Sequence, residues 1–490
     1  MRRVDGGHAR PGVVSTALLP VPSRWTGRGP ILIGALIVGL AVLVGLAAGY
    51  PSPAFWIPLE VIAGGGLLYL SARQPFASLL IILGSCILLV VVRVSGARAI
   101  NPIDVLLPPV LLSSFFGRAR REALAHAESG SGHDELNVAE RKLTQSVLVF
   151  YGVAALSLFQ LARQAGVGAA LDSALLLIRA FQGLLFYPLA TWWLRTQDRI
   201  GHAWNAIVVA GTALAVVNFI GAAAWGVKRA GMTLYLNDFA APISTPNEAG
   251  TATLVVAVVL MIRHVMRPHW TNPVLGALMV VLLGLTQSRS GILAWATFGL
   301  FTLRWVRPSR LLAGALAIAA VLPVMPEKFW TRMVNSVAVE RGSFEALSFF
   351  QRVYGWRAAW GMVTDHPWTG VGYLGFRFLS HAYNEMRIVL VTVENYYYEI
   401  LVSMGVVGLA ALAVVIVRLF QVGRAVARTA PPGTLAHHMA RFHTPLLLGL
   451  LVANMTGDNF VGMVGLAQVA MWTAVLVRSG HEAVAGAARA

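Results

Sequence analysis

The sequence predicts an all-α, polytopic integral membrane protein, and two properties of the chain lead to this class. Of its 490 residues, 57% are hydrophobic and only 12% are charged, and the mean hydropathy is +0.69. A soluble protein carries about twice that charged fraction. Apolar runs recur along the whole chain, so we expect about 12–14 transmembrane helices and one large extracytoplasmic loop with short helices.

The candidate spans are connected by short loops except at one place. They begin near Ile31, Pro53, Phe76, Ile103, Thr144, Ser173, Ala203, Glu248, Pro273, Gly291, Leu311, Asn395, Phe442 and Val461, and the one from Ile103 is short enough to be re-entrant. The predicted organisation is a disordered cytoplasmic tail (1–30), a first part of the bundle (31–325), the large outer loop (326–394), a second part of the bundle (395–478) and a cytoplasmic tail (479–490).

The distribution of basic residues predicts the orientation. With the N-terminus inside, 24 Lys and Arg residues fall on inner segments and 6 in short outer loops, leaving out the long loop and Arg179, which lies within a span. Long loops cross largely regardless of charge, so 326–394 can lie outside. The net charge of +17 follows from this topology and requires no nucleic-acid partner. The single cysteine, Cys86, excludes an intramolecular disulfide and a cysteine metal cluster.

Cysteine labelling tests this orientation. After replacement of Cys86, a membrane-impermeant thiol reagent added from outside is expected to label Ser343→Cys but not Ser131→Cys. The reason is that the segment 117–143 is basic and short, whereas 326–394 is the long outer loop. The reverse labelling pattern would refute the orientation.

A first polar segment, LTQSRSGILAW at 285–295, separates two apolar runs. Arg289 lies at the outer end of the second run, against the positive-inside trend. Such an arginine can extend to lipid headgroups. It can equally bind an anion, because a break between helices offers backbone N–H groups to the same ligand.

A second segment, QRVYGWRAAWGMVTDHPWTGVGY at 351–373, lies in the long loop. Arginines and tryptophans recur in it at helical spacings: Arg352, Trp356, Arg357 and Trp360. The proline and glycines after them predict that the helix ends in a tight turn. An amphipathic helix on the membrane surface would have the same pattern of aromatic residues.

A third segment, TVENYYYEILVSMGVVGL at 392–409, begins a span with polar residues. Glu394 and Asn395 are costly to bury in lipid and usually face a polar cavity or an interface. Because the segment directly follows the large outer loop, we expect it to line an extracytoplasmic cavity. Interfacial tyrosines would explain the aromatic residues alone.

Together these segments resemble the superfamily of bacterial O-antigen ligases and O-antigen polymerases. The resemblance covers most of the chain from about Ile103. It rests on Ser288–Gly291 at a helix junction, Arg352 and Trp356 followed by the turn His366–Gly372, and Glu394–Tyr397 leading into Gly405–Leu409. Weaker similarities are NPIDVLL near Asp104 and the loop between Lys228-Arg229 and Pro246-Asn247. The resemblance implies a GT-C-like bundle in the bacterial inner membrane, with its active site facing the periplasm.

The resemblance implies that the protein is a metal-independent, inverting glycosyltransferase with no cofactor. Arg289 and Arg352 would stabilise the departing pyrophosphate, and Glu394 would be the general base. The expected substrate-binding residues are Asn395, Tyr396, Tyr397, Arg357, Lys228, Arg229, Asn247 and Arg179. Arg179 could instead pair with Glu60.

The expected donor is an undecaprenyl-pyrophosphate-linked glycan, and the acceptor is another lipid-linked repeat unit or lipid A-core. Membrane lipids and a chain-length regulator are the expected partners. Ligases of the superfamily typically carry histidine where this chain has Glu394, which favours a polymerase over a ligase. A secondary transporter is a more distant alternative, and it predicts repeated halves with broken helices near the midplane.

Overall fold

The computed structural model describes residues 74–88, 92–94, 98–100, 106–111, 134–225, 246–305, 323, 330–331, 344–385, 389–457, 460 and 463–489. Its helices are α1 (Pro75–Leu88), α2 (Asp134–Ala165), α3 (Val167–Trp193), α4 (Gln197–Trp225), α5 (Pro246–Met266), α6 (Thr271–Thr286), α7 (Arg289–Thr302), α8 (Phe344–Asp365), α9 (Phe376–Leu379), α10 (Tyr396–Thr429), α11 (Leu435–Ala453) and α12 (Met463–Arg489). Two strands, β1 (Val92–Val94) and β2 (Arg98–Ile100), pair antiparallel.

The structure confirms a helical membrane protein. Within the described residues, four helices are long and apolar enough to cross a membrane: α2 from Glu135, α3, α5 and α10. The all-α class is confirmed, and the short pair β1–β2 is a small addition to it. The total of 12–14 spans stays a prediction, and those expected from Ile31, Pro53 and Leu311 lie outside the described residues.

Helices α7 and α11 pack against each other in antiparallel directions, and this pairing shows which helix ends lie together. The rings of Phe298 and Phe442 are 6.3 Å apart. Further along, Gly449 lies so close to Ala294 that an added Cβ would be 2.7 Å from the Ala294 carbonyl oxygen. The beginning of α7 and the end of α11 therefore lie at the same end of the bundle. By the predicted topology this is the outer end.

Helix α5 runs parallel to α7 and begins at the same end. Gly250 and Gly291 are in backbone contact, with an added Cβ on either glycine 2.9–3.0 Å from the other Cα. One turn further, the Trp295 indole N–H donates to the Thr253 hydroxyl at 3.2 Å. Close packing of two glycines lets the first turns of α5 and α7 touch.

Helix α10 is broken at Gly405, where φ is 64° and ψ is −164°. His443 of α11 lies 2.9 Å from the Leu419 carbonyl oxygen. A straight antiparallel partner would bring a residue near 411 beside Leu451, which is eight residues further along α11. Instead, the Tyr397 hydroxyl donates to the Leu451 carbonyl at 2.8 Å. The first part of α10, up to Gly405, therefore does not continue along the axis of the second part.

The turn at 366–372 joins the two parts of α10 at this break. The N–H groups of Val371 and Gly372 donate to the last carbonyls of the first part, both at 2.9 Å, and the Val406 N–H of the second part donates to the Pro367 carbonyl at 2.8 Å. Helix ends leave such groups unsatisfied. The turn supplies hydrogen-bond partners for these groups and so stabilises the break in the helix. The tight turn predicted from the sequence is confirmed, with positive φ at Gly370 and Gly372.

Replacement of a glycine at this junction is expected to destabilise the protein. Gly370 has φ of +64°, and a Cβ there would lie 2.4 Å from the Val402 carbonyl oxygen. We expect Gly370→Ala to lower the unfolding temperature clearly, by backbone strain and clash together. Gly433→Ala is the matched control, since Gly433 also has positive φ but no atom within 4 Å. Equal unfolding temperatures for the two variants in detergent would contradict the proposed tight packing.

Candidate active site

The N-terminus of α10 is held in place by its polar residues. Asn395 is the N-cap, with its side-chain oxygen accepting from the Tyr398 N–H at 3.0 Å. Its amide group donates to the Met455 carbonyl at 2.9 Å. The Tyr396 N–H donates to the Asn454 carbonyl at 3.0 Å. These bonds dock the beginning of α10 on the outer end of α11 and satisfy exposed helix N–H groups.

Glu394 and Arg352 form an ion pair directly in front of this cap. The Arg352 Nε donates to Glu394 Oε2, and the two side chains are 25% and 42% exposed. Glu394 has φ of +52°, a backbone conformation that is uncommon for this residue type and is often found at functional sites. The pair is therefore only partly buried, and its geometry is specified by the backbone of Glu394.

The neighbouring tryptophan fixes α8 against the same segment. The Trp356 indole N–H donates to the Val393 carbonyl at 3.1 Å. In return, the Tyr398 hydroxyl donates to the Trp356 carbonyl at 3.0 Å. These bonds hold Arg352, one helical turn earlier, beside Glu394.

A second polar group lies at the α6–α7 junction. Ser288 is the N-cap of α7, and its hydroxyl accepts from the Gly291 N–H at 3.0 Å. The same hydroxyl donates to the Asn247 side-chain oxygen at 2.8 Å. Arg289, partly buried, is the first residue of α7. The break predicted between two helices at SRSG is confirmed, and it connects Asn247 of α5 to this helix N-terminus.

Both polar groups lie at the same end of the bundle. The beginnings of α5 and α7 lie beside the end of α11, and Asn454 directly follows that end. Since Asn454 accepts from the first N–H of α10, the Arg352–Glu394 pair belongs to this end as well. Arg289 and Arg352 thus come from segments far apart in the sequence to one end of the structure.

A buried carboxyl group, Glu399, lies in the first part of α10, in the same segment as Glu394. Its side chain is 4% exposed, and the Ser403 hydroxyl donates to it at 3.1 Å. The Ser403 hydroxyl also accepts from the Leu374 N–H at 3.0 Å. Burial raises the pKa of Tyr373 well above its ordinary value, and the charge of Glu399 raises this pKa further. Glu399 therefore connects α10 to the turn that joins its two parts.

An apolar cleft extends from this site into the bundle. Its volume is about 170 Å³. Its walls come from α2, α3, α10, α11 and α12 and the adjoining Phe460. It reaches from Tyr396, Tyr397 and Phe460 at the outer end to Leu143, Thr144 and Tyr187 at the other.

The predicted substrate-binding residues divide into three groups. Tyr396 and Tyr397 form the outer wall of the cleft, and the hydrogen bonds of Asn395 hold the helix cap. Arg357 is exposed on α8 and Arg179 is half-buried in α3. Lys228 and Arg229 lie outside the described residues, as does Glu60, the alternative partner of Arg179, and Asn247 accepts from Ser288. Contact of any of these with a sugar stays a prediction.

Sequence reasoning missed the contribution of Asn454. Its side chain is fully buried, with the amide donating to the Leu450 carbonyl at 2.8 Å and the oxygen accepting from the Phe460 N–H at 3.0 Å. The polar cluster NMTGDN after an apolar helix was the available signal. Within the described part of the chain, no group of three or more His, Cys, Asp and Glu residues could hold a metal ion.

Fold and site define a polytopic membrane protein with a polar site at one end of its bundle, above an apolar cleft. Residues 274–413 match a family model described as O-antigen ligase. Within these residues the match supports the resemblance to the O-antigen ligase and polymerase superfamily, and it includes Arg289, Arg352 and Glu394. It supports a glycosyltransferase-like enzyme of polysaccharide biosynthesis. A search of curated proteins found no significant match.

Proposed function

We propose that the protein is an inner-membrane glycosyltransferase that polymerises the repeat units of a surface polysaccharide. It would transfer a glycan from an undecaprenyl-pyrophosphate-linked donor to a sugar hydroxyl on the periplasmic face. The observation that carries this proposal is the Arg352–Glu394 pair at the outer start of α10. The pair combines an anion-binding group with a proton acceptor inside the segment that matches the O-antigen ligase family.

The arginines would stabilise the leaving group. When the bond between the anomeric carbon and the pyrophosphate oxygen breaks, negative charge develops on that oxygen. The planar guanidinium of Arg352 suits phosphate oxygens, and Arg289 adds a second cation at the N-terminus of α7. Both act without a metal ion, as proposed from the resemblance.

Glu394 would accept the proton of the attacking hydroxyl. In the structure its Oε2 atom is bound by Arg352. A pyrophosphate that arrives beside Arg352 competes for the guanidinium and releases the carboxylate. The acceptor oxygen then forms the new bond to the anomeric carbon, its proton passes to Glu394, and undecaprenyl pyrophosphate leaves. Attack from the face opposite the pyrophosphate inverts the anomeric centre.

The apolar cleft would hold the polyprenyl part of the carrier. It begins at Tyr396 and Tyr397, directly after Glu394, and continues along the second part of α10. A lipid chain placed there would hold its pyrophosphate near Arg352. Its apolar lining suits a hydrocarbon chain that enters from the lipid.

A ligase is the second candidate, because the matching family model is described as O-antigen ligase. The two activities differ in what accumulates when the protein is absent. A deletion strain is expected to accumulate a single repeat unit on the lipid carrier if the protein is a polymerase. Full-length polymer on the carrier would identify a ligase, and unchanged lipid-linked glycans would contradict both.

A further inference from the structure

Three side chains form a row on α8 that begins at the candidate active site. Arg352, Trp356 and Trp360 are spaced by four residues and so lie on one side of the helix. Trp356 is 42% exposed and Trp360 is 60% exposed, whereas Ala359 and Met362 on the neighbouring side are fully buried. The row therefore borders the packed face of α8 and is open to the surroundings.

The row extends along the first part of α10. Arg352 lies at the beginning of this part, and the turn after α8 lies at its end, beside Gly405. Helix α8 thus runs alongside the first part of α10. At 1.5 Å per residue, Trp360 lies about 12 Å beyond Arg352 along the helix.

Trp356 is held in one orientation by its hydrogen bond to the Val393 carbonyl. Exposed indole rings with a fixed orientation are typical of binding surfaces, since exposed apolar groups that cluster mark sites of interaction. The exposed Arg357, next to Trp356 in the chain, supplies N–H donors beside the rings.

We propose that the row Arg352–Trp356–Trp360 binds the acceptor glycan, an inference that rests on the proposed function. The C–H faces of the sugar rings pack on the two indoles, and their hydroxyls bond with Arg357. The reacting hydroxyl then lies at the Arg352 end of the row, beside Glu394. The donor keeps its lipid in the cleft and approaches from the opposite side.

The test measures oligosaccharide binding by the full-length protein in lipid nanodiscs. The probe is the soluble oligosaccharide released by mild acid from the lipid-linked glycan of the strain that carries the gene. Trp360→Ala is expected to weaken its binding about tenfold. Trp360→Tyr, which keeps an aromatic plane, should retain most of the affinity, and Trp360→Leu should not. Trp270→Ala is the control, since Trp270 is 71% exposed before α6, away from the row.

The outcomes separate this inference from the proposed function. If Trp360→Ala still transfers glycan and binds the oligosaccharide unchanged, the proposed role of the row is wrong, whereas the proposed function is not contradicted. Full affinity in Trp360→Leu would also overturn the proposed role of the row. Quenching of Trp360 fluorescence by brominated lipids would show a membrane contact and would overturn this role as well. If the wild type neither transfers glycan nor binds the probe, the proposed function itself fails.

Discussion

Glu394→Gln is expected to lower glycan transfer by at least about a hundredfold, the lower end of the range for general-base catalysis. The glutamine amide oxygen can still accept from Arg352, so the contact that positions the segment is kept. What the variant loses is the ability to take the proton of the acceptor hydroxyl. The measurement is transfer by purified protein from a lipid-linked donor, with donor binding measured in parallel and expected to be largely retained.

Glu394→His refines the same test. Imidazole can also accept a proton, so this variant should keep more activity than Glu394→Gln. The ligases of the superfamily typically carry histidine at the matching position. Transfer near the wild-type rate by Glu394→Gln would rule out the general base and leave Glu394 as a partner of Arg352 only.

Arg352→Ala and Arg289→Ala are each expected to lower transfer by about 10²–10³-fold, the loss typical of one group that stabilises a developing oxyanion. In Arg352→Ala, Glu394 also loses its ion-pair partner. Lysine at either position should restore little activity, because a point charge does not reproduce the two parallel bonds of a guanidinium. Transfer is measured as above, and the amount of protein in the membrane is measured alongside it.

Arg163→Ala is the matched control for the two arginines. Arg163 is exposed in the last turn of α2, outside the proposed site, and its removal is expected to leave transfer unchanged. If Arg289→Ala retains near-normal transfer while Arg352→Ala does not, Arg289 contacts lipid headgroups and only Arg352 meets the pyrophosphate. Near-normal transfer by both variants would contradict the anion-binding role.

Several parts of the fold and the site could be predicted because their signals are local in the chain. The helix that begins at Tyr396 follows from a capping asparagine before an apolar run. The junction at Ser288 follows from a polar cluster between two such runs. The turn at 366–372 follows from proline and glycine, which restrict or permit particular backbone angles.

The pairing of Arg352 with Glu394 could not be predicted in the same way. The sequence indicated that both residues belong to the site and assigned them separate tasks, but it did not show that they form a pair. Their ion pair depends on the bonds of Trp356 that hold α8 against the segment before α10. Contacts between residues 42 positions apart are decided by packing, which leaves no periodic signal in the sequence.

The sequence by itself determined the class of protein, the segments that form the site and the residue types that carry its chemistry. Hydropathy, charge distribution and short motifs express these properties directly, because each depends on a residue and its near neighbours. Only the tertiary structure decided that α10 is broken at Gly405 and that a cleft begins at Tyr396 and Tyr397. The stretch from Ile400 to Val417, apolar except for Ser403, reads as one helix, and its break requires the turn at 366–372 as a partner for the broken helix ends.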